Sequence, residues 1–113
     1  MSIIETLDVL APFEIWEVPF DRSTIKFFKP LVLTPTRVPD DPDEASDKEY
    51  LQIIYPELEI DVFAESRDEL LAWVHSDIRM NWKHFVLKDD SQLTPAAKIM
   101  KENYLAVAEA VNG

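Results

Sequence analysis

Residues 50–71 read YLQIIYPELEIDVFAESRDELL and contain the strongest secondary-structure signals of the chain. Its first part is rich in β-branched and aromatic residues, which favour strands. After Pro56 the sequence alternates, and this places Leu58, Ile60 and Val62 on one face of a second strand. Ser66 then begins a capping box that Glu69 closes, which is typical of the first turn of a helix. The stretch therefore predicts two strands followed by a helix.

The same alternation predicts that Glu57, Glu59 and Asp61 share the opposite face of the second strand. Carboxylates about 7 Å apart on one sheet face repel one another unless water or cations compensate their charge. One interpretation is the ordinary polar side of an antiparallel sheet. The other is a surface that receives Lys and Arg side chains of a partner.

The helix that begins after Ser66 is expected to continue to about Leu87. Its core face is a stripe of apolar residues at helical spacing: Leu70, Leu71, Val74, Ile78, Trp82, Phe85 and Val86. A second stripe contains Trp73, Met80 and Leu87, which are seven residues apart. Either another segment of the chain covers this stripe, or it is a surface for self-association or for a partner, where Trp and Met are typical anchors.

Upstream of this stretch, the pattern predicts a short helix over Ser2–Leu10 and an extended segment over Phe13–Phe20. Thr24–Thr34 is predicted to be a strand, with a bulge or an edge position at Pro30. Residues 34–48 are acidic and rich in proline, which indicates a loop.

Downstream, Thr94 and Pro95 have the residue types of an N-cap and a first helical position, and the apolar pattern continues to Val111. The sequence thus predicts a single α+β domain over residues 1–113. Its expected architecture is a small antiparallel β-sheet with a long helix packed on one face and a C-terminal helix beside it.

The composition excludes several chemistries. The chain has 113 residues and no cysteine, which rules out disulfides and thiolate metal sites. Its one glycine is Gly113, so glycine-rich phosphate-binding loops are absent. No segment has the length and hydrophobicity of a membrane span. We expect a cytoplasmic protein without a cofactor.

The negative charge is concentrated in one part of the chain. The net charge is −11; residues 1–65 contain 15 acidic and 5 basic residues, whereas residues 66–113 contain 7 and 6. Such a field opposes contact with nucleic acid and with anionic membranes. It favours a basic protein partner.

Catalytic signatures are weak. His75 and His84 are nine residues apart on the predicted helix, so they point in nearly opposite directions and cannot share a metal ion. The carboxylates are predicted to lie in loops or on a solvent-facing strand, where general acid–base chemistry is not favoured. We therefore predict no catalytic, cofactor-binding or metal-binding residue. A metal-dependent hydrolase built on converging carboxylates is one alternative, and a self-associating structural subunit is another.

Two segments resemble HicB-type antitoxins of bacterial toxin–antitoxin pairs: Tyr50–Leu58, which contains a Pro-Glu-Leu turn, and Ser66–Leu71, a Ser cap followed by acidic residues. The chain departs from the family in lacking a Gly after the turn and before the cap. The resemblance implies a partial RNase H-like sheet–helix fold, dimerisation, and neutralisation of a small basic RNase toxin. It places Glu57 on the partner surface.

The function that the sequence favours is an acidic protein-interaction module, antitoxin-like or inhibitor-like, and not an enzyme. The candidate partner-binding residues are Glu57, Glu59, Asp61, Trp73, Met80 and Leu87.

Overall fold

The computed structural model describes residues 9–39 and 49–112. The strands are β1 (Phe13–Phe20), β2 (Ser23–Leu33), β3 (Thr36–Pro39), β4 (Glu49–Tyr55), β5 (Ile60–Ala64) and β6 (Ala108–Asn112). The helices are α1 (Arg67–Asn81), which continues as a π-helical turn over Trp82–Val86, and α2 (Pro95–Val107). Short 3-10 turns lie at Pro56–Leu58 and Asp90–Gln92. The chain is α+β, as the sequence predicts.

The first sheet has the strand order β1-β2-β6, and both pairs are antiparallel. A tight turn joins β1 to β2, and Asp21 adopts the left-handed conformation there with φ of 53°. Trp16 of β1 faces the stretch 27–30 of β2, where the register shifts. This irregularity contains Pro30, and it confirms the predicted bulge, because proline has no N–H with which to donate to a neighbouring strand.

The second sheet has the order β3-β4-β5 and is also antiparallel. In β5, Ile60, Val62 and Ala64 are buried, while Asp61 and Phe63 are exposed. The alternation read from the sequence thus holds from Ile60 onward.

Helix α1 begins at the predicted capping box, where the Ser66 hydroxyl accepts a hydrogen bond from the Glu69 backbone N–H. The helix packs against β5 and β4 of the second sheet and against β1 of the first. Its buried residues are Leu70, Val74, Ile78 and, in the π-helical turn, Trp82. They lie in one apolar core with residues of both sheets, such as Val18, Ile25 and Ile53, and with Leu58 of the 3-10 turn.

Helix α2 is capped by the Thr94 hydroxyl, which accepts from the Ala97 backbone N–H. Its main anchor in the core is Tyr104, which is fully buried and meets the Trp82 ring edge-on with centroids 6.2 Å apart. The buried indole N–H of Trp82 has no acceptor in the described part of the chain. This unpaired donor costs about 1–3 kcal/mol, so packing of the rings has to offset it.

Four features differ from the sequence predictions. There are two three-stranded sheets where one was expected. Thr36–Pro39 forms a strand within the predicted loop over 34–48, because its residues pair with β4. The C-terminal helix ends at Val107, since the chain then pairs with β2 as strand β6.

The fourth difference concerns Glu57–Val62, predicted as one strand. Pro56–Leu58 forms a 3-10 turn, and Glu59 takes a left-handed conformation with φ of 52° before β5 begins. Residues 40–48, and nearly all of the predicted helix over Ser2–Leu10, lie outside the described residues. Among the described residues, no helix has the length and hydrophobicity needed to cross a membrane.

Candidate partner-binding site

The edge strand β5 supplies one wall of the candidate site. Asp61 and Phe63 are two residues apart, so the pleat directs both side chains to the outer face of the second sheet. Phe63 is 62% exposed and meets the ring of Tyr50 edge-on, with centroids 5.7 Å apart. The outer face of this sheet therefore presents an aromatic residue beside a carboxylate.

Helix α1 supplies the opposite wall. Glu69, Trp73 and Asp77 follow one another at a spacing of four residues, which places them along one flank of the helix. The Asp61 backbone N–H of β5 donates to the Asp77 carboxylate over 3.4 Å, so this flank lies against the strand. Trp73 is 50% exposed although it lies between two acidic residues of the same flank.

The two walls enclose a shallow depression of about 400 Å³, which we call the acid-rimmed hollow. Its lining residues come from β5 and α1: Asp61, Val62, Phe63, Glu69, Trp73 and Asp77. Two exposed aromatic rings and three carboxylates thus share one concave surface. In the part of the chain that the structure describes, none of these three carboxylates pairs with a Lys or an Arg.

Asp77 is the carboxylate with a perturbed titration. Partial burial raises the pKa of Asp77, and the nearby charges of Asp61 and Glu59 raise it further, while the hydrogen bond from the Asp61 backbone N–H opposes them. A cation bound in the hollow would relieve this repulsion, because it stabilises the charged carboxylate.

The three acidic residues predicted to share a strand face are separated by the 3-10 turn, so that prediction is corrected. Asp61 lines the hollow, and Glu59 is close enough to influence the pKa of Asp77. Glu57 lies apart from them. Its backbone carbonyl accepts from the Asn103 side chain at 2.8 Å, and the negative charge of its carboxylate adds to burial in raising the pKa of Tyr55.

The predicted stripe of Trp73, Met80 and Leu87 is uncovered, with exposed fractions of 50%, 52% and 59%. Trp73 lines the hollow, and Met80 lies on the same flank of α1 at helical spacing. The π-helical turn holds one residue more than an α-helical turn, so it rotates Leu87 away from that flank by about 100°. No segment of residues 9–39 and 49–112 buries this stripe, and its use as a binding surface stays a prediction.

Phe63, Glu69 and Asp77 are hollow residues that sequence reasoning did not select. The sequence contains a pattern that points to each of them. Phe63 lies two residues after Asp61, so both side chains share a strand face, and the two acidic residues flank Trp73 at a spacing of four, as on one side of a helix. What the sequence did not show was that β5 and α1 lie side by side.

A partly buried hydrogen-bond network fixes the geometry beside the hollow. The two N–H groups of the Asn81 side-chain amide are shared among three acceptors at 3.0–3.1 Å, the carbonyls of Leu58 and Glu59 and the Tyr104 hydroxyl. The Tyr104 hydroxyl in turn donates to the Leu58 carbonyl. Burial raises the pKa of Tyr104 far above its ordinary value. The phenol therefore stays neutral and holds the turn that places Glu59 in its left-handed conformation.

Within residues 9–39 and 49–112, no three His, Asp or Glu residues converge as metal ligands. Burial lowers the pKa of His75, and the nearby charge of Arg79 lowers it further, so the protonated imidazole is disfavoured. His84 is exposed on the π-helical turn. The arrangement of carboxylates and aromatic rings is suited to binding a cation.

The comparisons with known proteins give no match: no protein-family model, no curated protein and no solved structure is similar to this chain.

Proposed function

We propose that this chain is an acidic protein-interaction module whose acid-rimmed hollow receives basic side chains of a partner protein. The observation that carries the proposal is the pair of exposed rings, Phe63 and Trp73, beside three carboxylates that no Lys or Arg of the described residues neutralises. Binding, and not catalysis, is the function that this surface supports.

The physical argument joins apolar and electrostatic terms. Exposed aromatic side chains lose unfavourable contact with water when a partner covers them, and Trp is typical of binding hot spots. The carboxylates attract a basic partner over distance and speed its association at low salt. The net charge of −11 strengthens this attraction.

A narrower form of the proposal is an antitoxin-like role, in which the partner is a small basic RNase toxin. Support comes from the resemblance of Tyr50–Leu58 and Ser66–Leu71 to HicB-type antitoxins, and these segments contribute β4, the 3-10 turn and the start of α1. Glu57 lies outside the hollow, so the proposed contact surface is centred on Asp61 and Trp73. A cytoplasmic location belongs to the same proposal, since a cysteine-free chain suits a reducing compartment.

Self-association is the second candidate, favoured by the exposure of Met80 and Leu87 on α1 and beyond its π-helical turn. Two copies of one acidic surface repel each other, which places any such contact away from the hollow. Sedimentation at tens of micromolar separates the cases. A monomer would reject self-association and leave the basic-partner proposal intact.

The test of the proposal uses a short blocked peptide that repeats Gly-Ser-Arg, titrated by calorimetry at low salt. The variant Asp61→Asn/Glu69→Gln/Asp77→Asn removes the charges of the hollow and should weaken binding about tenfold or more. The control variant Glu14→Gln/Glu17→Gln/Glu109→Gln removes the same number of charges from exposed positions of the first sheet. It should weaken binding about twofold or less. Equal losses of affinity in both variants would show that only the net charge matters, and would reject the hollow as the docking site.

A further inference from the structure

We infer that the acid-rimmed hollow is selective for arginine over lysine and receives a guanidinium group stacked on Trp73. This inference rests on the proposed function, because it names the side chain that the basic partner inserts. It goes further, because a merely acidic surface attracts both residue types equally.

The aromatic walls are the first reason. A guanidinium is planar and weakly hydrated, so it stacks on an aromatic face at less cost in lost hydration than an ammonium. Trp is the best of the aromatic partners for such a contact. Trp73 is half exposed and Phe63 more so, which leaves ring surface accessible in the hollow.

The carboxylates are the second reason. Asp61, Glu69 and Asp77 come from two different elements, so they present acceptors from opposite sides of the hollow. A guanidinium has five N–H donors in a flat fork and can serve carboxylates on both sides while its face remains on a ring. A lysine ammonium has three donors at one point, and it gains less from separated acceptors.

The chain contains an arrangement of this kind in its own fold. The guanidinium of Arg67 lies 4.0 Å from the ring centroid of Phe13, and its Nη1 donates to the carbonyls of Val9 and Ala11 at 2.9 and 2.8 Å. Stacking and in-plane hydrogen bonding are satisfied there together. The hollow offers both kinds of contact as well, but no arginine of the described residues occupies it.

The size of the depression agrees with this occupant. At about 400 Å³ it is near the lower end of the range for ligand sites, and it is open to solvent on one side. It can receive the end of one long side chain while the partner backbone stays outside.

The experiment compares two blocked peptides, one repeating Gly-Ser-Arg and one repeating Gly-Ser-Lys. Calorimetry measures their affinities for the wild type and for each variant, and NMR follows the Trp73 indole N–H signal in the wild type. We expect the arginine peptide to bind about fivefold more tightly or better. Trp73→Leu keeps an apolar side chain and all carboxylates but removes the ring. It should lower the affinity for the arginine peptide to nearly that for the lysine peptide. The affinity for the lysine peptide itself should change little.

Trp16→Leu is the matched control, since Trp16 is a tryptophan of similar exposure (57%) on the first sheet. It should leave the preference for arginine unchanged. Equal affinities of the two peptides for the wild type, or a preference that survives Trp73→Leu, would overturn the inference while the proposed docking site stands. Failure of both peptides to bind would overturn the proposed function as well.

Discussion

Two polar regions border α1, and they differ in how their hydrogen-bonding groups are satisfied. In the network of Asn81 and Tyr104, donors and acceptors are paired within the chain and are partly or fully shielded from water. In the acid-rimmed hollow, Asp61, Glu69 and Asp77 face solvent, and no cation of the described residues is paired with them. The first region is used by the fold. In the second, the fold makes only two long hydrogen bonds, from the Asp61 backbone N–H to Asp77 at 3.4 Å and from the Gln52 amide to Asp61 at 3.5 Å. The other carboxylate oxygens are available to a partner.

If this contrast is right, the largest loss of stability follows from Tyr104→Ala. The change leaves a cavity beside Trp82 and removes a hydroxyl from the network, so we expect the free energy of unfolding to fall by about 3–5 kcal/mol. Tyr104→Phe keeps the ring and should cost only about 1–2 kcal/mol. Urea denaturation followed by circular dichroism measures both. Equal losses in the two variants would show that packing of the ring contributes nothing.

Asn81→Ala is expected to have the next largest effect, a loss of about 1–3 kcal/mol. The amide donates to two carbonyls of the turn at Leu58 and Glu59, and the Glu59 carbonyl would lose its partner. Denaturation with the same method provides the measurement. Asn103→Ala is a suitable control, because its single hydrogen bond to the Glu57 carbonyl lies at an exposed position and should matter less.

Asp77→Asn should change the free energy of unfolding in the opposite direction, towards higher stability. Because the pKa of Asp77 is raised in the folded state, folding disfavours its charged form. At pH 7 the variant should therefore be slightly more stable than the wild type, by less than about 1 kcal/mol since solvent screens the site.

The difference in stability between Asp77→Asn and the wild type should depend on pH, and this dependence tests whether folding raises the pKa of Asp77. As the pH falls through the folded-state pKa, the wild type takes up its proton and recovers the lost stability. The advantage of Asp77→Asn should thus be present at neutral pH and vanish below about pH 3.9, the ordinary value for Asp. An advantage that grows as the pH falls would contradict the assigned electrostatics.

Trp73→Ala is expected to change the free energy of unfolding least, by about 0.5 kcal/mol or less, because the side chain is half exposed and lies outside the core. Trp82→Ala serves as the comparison and should cost about 3–5 kcal/mol. A loss of several kcal/mol in Trp73→Ala would show that this tryptophan serves the fold, which would weaken its role in binding.

The elements with strong local signals were predictable from the sequence. The capping box at Ser66, the helical stripe from Leu70 to Trp82 and the bulge at Pro30 all follow from residue types at fixed spacing. Strand β6 was missed because its alanines and glutamate suit a helix by propensity, and only its pairing with β2 overrides that preference.

The hollow was only half predictable. Asp61 and Trp73 were selected from local patterns, but the 3-10 turn that separates Glu57 from them depends on a tertiary network. The left-handed conformation of Glu59 is held from outside by Asn81, which is distant in sequence. No local spacing predicts that contact, because it depends on how α1 and α2 pack beside the turn.

Docking of basic partners in the acid-rimmed hollow can be located by an NMR titration of the wild type with the Gly-Ser-Arg peptide. We expect the backbone amide shifts to change most at residues 61–63 and 69–77 and the Trp73 indole N–H signal to move with them. Shift changes centred on the first sheet, or spread evenly over all acidic positions, would contradict docking in the hollow.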